Sequence, residues 1–170
     1  MKLHPALFLV LLNGVCLGTT LYAQEKNIVK LLNQALNAEK KIQGKDPANY
    51  CGQPFDIITP YHITGKKLSV TVKRQLQEED AVETETCEVA LDSVVNIVKD
   101  INILFETWPR AAVVTRHTVY KNAPAKTEVF KSDLYFLQLC YEKNNEAFAD
   151  ALIKAFQKAG YTLKKRHWYD

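Results

Sequence analysis

From Phe55 to Tyr141 the apolar residues largely keep a two-residue beat, and beyond Tyr141 the beat lengthens to that of a helix. This change of period restricts the fold more than any other feature of the chain. Successive side chains of a strand point to opposite faces, so alternation marks a sheet with one face buried and one wet. Leu68, Val70 and Val72 against Ser69, Thr71 and Lys73 are the clearest case. Other extended stretches cover 55–63, 81–91, 101–107, 111–120, 126–131 and 134–141. Turn chemistry separates them at Ile63-Thr64-Gly65-Lys66, Gln77 to Asp80, Trp108-Pro109 and Asn122-Ala123-Pro124. The spacing predicts an α+β chain: a seven-stranded antiparallel meander or barrel, a C-terminal covering helix and an extra N-terminal helix.

The covering helix is read from Phe148, Ala151, Leu152, Ala155, Phe156 and Ala159, with Asn144 or Asn145 available as N-cap and Gly160 as terminator. A spacing of three and four at Ile28, Leu31, Leu32, Ala35, Leu36 and Ile42 predicts the N-terminal helix over 25–43, stopping at Gly44. Turn residues fill 45–54 and include Cys51.

The start of the chain reads as an address. A short basic beginning, the apolar run Ala6 to Leu12 and Leu21-Tyr22-Ala23 ahead of Gln24 have the layout of a secretory signal peptide. The run is shorter than the roughly 20 residues that cross a bilayer, so the mature chain is expected to have no transmembrane span. The expected organisation is a signal peptide at 1–23, a helix and turn at 24–54, the barrel and helix at 55–160, and a basic aromatic tail at 161–170. Lipoprotein processing at Cys16 is the alternative, against which Asn13-Gly14-Val15 lacks the leucine and small final residue favoured there. Export lets disulfides persist. Cys51, Cys87 and Cys140 remain after cleavage, and a cysteine in a proline-bounded turn can move to meet a strand cysteine, which favours Cys51 with Cys87 or Cys140.

The segment Val89 to Thr107 carries Leu91-Asp92-Ser93-Val94-Val95 and then Ile101 to Phe105, an apolar-Asp-x-apolar turn followed by a strand. With the preceding strands and the closing helix Asn145 to Lys158, the chain from about Phe55 to Gly160 resembles the pleckstrin-homology-like superfold in its bacterial, GRAM-type branches. The resemblance implies a barrel covered by its last helix, with the N-terminal helix packed outside. It leaves function open, since such domains bind phosphoinositides, peptides or proteins by different surfaces. Lipid-binding members use a basic first hairpin, matched here by Lys66, Lys67, Lys73 and Arg74 but offset by Glu78-Glu79-Asp80.

Motifs for chemistry are sparse. The 22 basic and 19 acidic residues leave a net charge of +3, too balanced to mark nucleic acid as a partner. His62, His117 and His167 lack metal-ligand spacing, the serines lie outside GxSxG and SxxK, and the isolated glycines form no phosphate loop, so neither metal nor cofactor is expected. The acidic run Glu78, Glu79, Asp80, Glu83, Glu85 and Glu88 reads as a solvated hairpin facing Lys73 and Arg74. In the tail, Lys164, Lys165, Arg166 and Trp168 alternate charge with aromatic surface and are the candidate patch for an anionic headgroup, a glycan or a partner, the alternative being a last strand or a frayed end whose aromatics fold back on the helix. The expectation is a monomeric, non-catalytic binding protein exported to the bacterial periplasm or beyond, taking a protein or amphipathic envelope ligand. An envelope enzyme or enzyme inhibitor is the alternative, with Asp92, Asp100, His117 and Asp133 as its groups.

Overall fold

The computed structural model describes residues 5–47, 50, 52–78, 80–140 and 145–169, with side chains from residue 24 onward. Helix α1 spans Pro5–Lys45 and helix α2 Glu146–Lys158. Strands β1 (Phe55–Thr64), β2 (Lys67–Leu76), β3 (Ala81–Ala90), β6 (Ala112–Tyr120) and β7 (Lys126–Ser132) form one antiparallel sheet in the order β1-β2-β3-β6-β7. Strands β8 (Leu134–Leu139), β5 (Ile103–Thr107), β4 (Val94–Lys99) and β9 (Lys164–Trp168) form the second, in that order, with β9 parallel to β4. The α+β class is as expected, but the two sheets do not close into a barrel. The described strands number nine rather than seven, the additions being β4 and β9.

A single-turn 3-10 helix, Leu91–Ser93, carries the chain from the first sheet to the second, and Asp133 carries it across again between β7 and β8. The apolar-Asp-x-apolar segment is therefore a turn, as read. It is anchored by the fully buried Leu91, whose amide donates to the Lys66 carbonyl at 2.9 Å.

The N-terminal helix is a structural layer and not an appendage outside the core. Ile28, Leu32 and Leu36, one stripe four residues apart, are buried in the same cluster as Phe105, Tyr135 and Leu137 of the second sheet. Asn33 on this helix treats β1 as a strand partner would. Its amide nitrogen donates to the Tyr61 carbonyl and its oxygen accepts the Tyr61 N–H, both at 2.8 Å. Backbone groups along that edge are thus satisfied by a helix side chain. Ile28, Leu32, Asn33 and Leu36 all follow the expected cleavage point at Ala23.

Helix α2 buries Ala149, Leu152, Ala155 and Phe156, with the Phe156 ring edge-on to Phe105 at 5.5 Å between centroids. Asn145 is its N-cap, and Gly160 past its end has φ +80°, the left-handed conformation that ends a helix at little cost to glycine. Among the described residues no helix is long and apolar enough to cross a membrane.

No disulfide forms among the described residues. Cys51 lies outside them, and with it the expected pairing to Cys87 or Cys140.

Candidate functional site

One face of the first sheet is apolar along most of its length and turns polar toward one end. On β2 this face carries Leu68, Val70 and Val72, then Arg74; on β3 it carries Val89 and Cys87, then Glu85 and Glu83. Antiparallel register sets Arg74 opposite Glu83, and Glu85 opposite Arg116 of β6. Two carboxylates and two guanidiniums therefore meet on neighbouring strands, at the floor of a cleft of about 750 Å³. Its walls are Phe130 of β7 and Leu134 and Phe136 of β8, all partly exposed, and its rim includes Tyr50, Gln53 and Phe55.

Glu85 is the hub. Its Oε1 accepts from Arg74 Nη1 at 3.1 Å and from Gln138 Nε2 at 3.3 Å, while its Oε2 accepts from Arg116 Nε at 2.8 Å. Burial alone would raise the Glu85 carboxyl, but the two guanidiniums outweigh it and hold the group below the usual carboxylate range. Glu83 stands off both arginines at 3.8 Å. The Cys87 thiol beside the hub is pushed up to about 12, by burial first and then by the Glu85 charge, so it stays protonated at neutral pH.

Gln138 reaches this network from an unusual backbone. It has φ +56° inside β8, where the register steps from Leu104↔Phe136 to Ile103↔Leu139 and leaves two β8 residues unmatched. Such bulges re-aim side chains beside functional sites. Here the bulge directs Gln138 to Glu85 and Arg74, and its Leu137 carbonyl accepts the Tyr61 hydroxyl at 2.7 Å. Tyr50 and Cys140, which line the cleft, are both held by Glu39 of α1, almost fully buried, which accepts from the Tyr50 hydroxyl at 2.7 Å and the Cys140 amide at 3.1 Å. It ties the segment before β1 and the end of β8 to one helix.

The residues expected to act from the tail lie elsewhere. Lys164, Lys165, Arg166 and Trp168 belong to β9 and not to a free tail. Lys165 pairs with Glu146 and, at 3.0 Å, with Asp150 of α2. Arg166 lies 3.7 Å from Glu106, and Trp168 packs on the core with the Lys99 ammonium 5.8 Å from its ring. Strand pairing and intramolecular ion pairs thus engage most of that patch.

The four groups considered for catalysis are scattered. Asp92 accepts from the Ser93 hydroxyl at 3.4 Å, His117 meets Thr127 Oγ1 at 3.0 Å, and Asp133 accepts the Arg110 amide at 2.7 Å. None of these, nor Asp100, lines the cleft. Of the basic hairpin residues, Lys67 pairs with Glu88 at 3.4 Å and only Arg74 faces the cleft. Glu83 and Glu85, expected in a solvated run, point inward.

Sequence reasoning missed Arg116, Phe130, Phe136 and Gln138. A signal for part of the site was present: Glu83, Glu85 and Cys87 continue the face of Val89 at a period of two, as Arg74 continues that of Val70 and Val72. The chain matches no family model, no curated protein and no solved structure in comparisons with known proteins.

Proposed function

We propose that this chain is an exported, non-catalytic binding protein whose ligand site is the cleft between β7, β8 and the charged end of the first sheet. The observation that carries this reading is the combination of exposed apolar walls, Phe130, Leu134 and Phe136, with a floor whose charges are already paired. A cleft of this size lies within the range of small-molecule sites, and largely apolar walls with a few fixed polar groups are their usual composition. The floor chemistry favours binding over catalysis: Glu85 is fixed as a carboxylate by two guanidiniums, and the Cys87 thiol is held protonated.

Export rests on the layout of the first 23 residues. Kinship with the pleckstrin-homology-like superfold belongs to this proposal only as a scaffold analogy. Strands followed by a covering helix favour it, and the open sheets and the built-in α1 depart from it.

Titration with 8-anilinonaphthalene-1-sulfonate, an amphipathic fluorescent probe, tests the site. The full chain should give a saturable rise in emission that Phe136→Lys abolishes without lowering thermal stability. Equal responses from the two proteins would remove the cleft as the ligand site.

A further inference from the structure

Resting on that cleft reading, the geometry points to an amphipathic carboxylate as the ligand class. A single carboxylate head sits on the outer edge of the Arg116 guanidinium, and an apolar body lies along Phe130, Leu134 and Phe136.

The charges of the floor sum to zero, but they are not equally accessible. Glu85 uses both carboxylate oxygens on Arg74, Arg116 and Gln138. Arg74 spends Nη1 on Glu85 and Nη2 on the Gln138 oxygen. The side chains of Glu83 and Glu85 are 13% and 7% exposed and that of Arg74 11%, whereas Arg116 is 45% exposed. A ligand entering the cleft therefore meets a positive edge before it meets a negative one.

That edge is already oriented. Arg116 donates to Glu85 through Nε alone, and its Nη1 and Nη2 have no hydrogen-bond partner among the described residues. The Phe130 ring lies 5.3 Å from Cζ and supports the guanidinium from one side. A guanidinium held by Nε and by an aromatic face presents its remaining N–H groups as a planar fork, the shape that receives a carboxylate. Glu128, opposite Arg116 on β7, is engaged by Lys126 at 2.7 Å and so does not fill the fork.

The apolar body follows from position. Phe130 both supports Arg116 and begins the hydrophobic wall that continues through Leu134 and Phe136. One fork beside one apolar wall calls for one charged head on one tail. A free fatty acid and the carboxylate end of an apolar peptide share this chemistry.

Isothermal titration of the full chain with decanoate and decylammonium below their micelle concentrations, and with 1-decanol below its solubility limit, tests the assignment. Decanoate should bind about tenfold or more tightly than decanol, as a charge-assisted fork requires, and decylammonium should bind most weakly. Arg116→Gln should bring decanoate and decanol to within about twofold, and Arg116→Lys, which keeps the charge and loses the fork, should fall between. A carboxylate-ended apolar tripeptide that competes with decanoate separates a peptide source from a lipid one. If native protein binds decanol as well as decanoate, or prefers decylammonium, the carboxylate assignment fails while the cleft remains a receptor. If none of the three binds, or Phe136→Lys leaves their binding unchanged, the assignment and the cleft reading both fail. The head-group series on the native chain decides the matter even if a variant does not fold.

Discussion

At Gln138 the usual ranking of two substitutions should reverse. In an ordinary strand, glycine is less stable than alanine by roughly 0.5–1 kcal/mol, because it loses more chain freedom on folding. Gln138 instead has φ +56°, where a residue bearing a Cβ pays about 1–2 kcal/mol and glycine does not. Glycine's freer unfolded chain returns about 0.4–1 kcal/mol of that advantage. Both Gln138→Ala and Gln138→Gly lose the bonds to Arg74 and Glu85, so that loss cancels between them. At the centre of these ranges the glycine variant should therefore be the more stable by about 0.8 kcal/mol. Urea denaturation of the two proteins, with equal m-values, reads the difference as a shift in midpoint. An alanine variant equal to or more stable than the glycine variant would show that the bulge is not strained. It would also remove the reason to regard Gln138 as placed at a cost to serve the cleft.

Three further outcomes follow from the packing and the charges. Phe156→Ala should cost about 3–5 kcal/mol in chemical denaturation, since this fully buried ring joins α2 to Phe105 and Tyr161; a loss under about 1 kcal/mol would mean that the helix is not a core layer. Truncation after Leu163 should cost about 1.5–3 kcal/mol because it removes β9 and the partly buried Trp168; a thermal midpoint equal to that of the full chain would return 164–170 to the status of a free tail. Glu85 has a lowered carboxyl, so its contribution to stability should be complete above the ordinary carboxylate range and be lost as pH falls through its depressed value. Comparing stability between pH 7 and pH 2 in native protein and Glu85→Gln should show a shallower acid limb in the variant, and parallel curves would oppose the assignment.

What the sequence revealed depended on whether the partner was local. Both helices were legible because Ile28, Leu32 and Leu36, and likewise Leu152, Ala155 and Phe156, repeat at helical spacing on faces that are in fact buried. Seven strands were placed by alternation or by the turns that bound them. Strand β4 was missed as a full strand because Val94, Asn96, Ile97 and Lys99 are all buried, which erases a simple two-residue beat. Strand β9, Lys-Lys-Arg-His-Trp, carries no apolar alternation and exists through parallel pairing to β4, a partner far away in the chain. In the sequence the acidic run looks solvated because the only nearby cations are those of its own hairpin. Arg74 is there, but Arg116 arrives from 31 residues beyond Glu85. The bulge at Gln138 left no trace, since nothing in the sequence marks a left-handed glutamine inside a strand.

The proposed ligand site is tested most directly by amide chemical-shift mapping of the isotopically labelled full chain during titration with decanoate. The expected result is a set of saturable shifts concentrated in residues 52–55, 74–76, 83–87, 114–116 and 130–138, the segments that line the cleft. Shifts that cluster instead along Lys164–Trp168, or that leave the amides of Arg116, Phe130 and Phe136 unmoved at saturation, would contradict it.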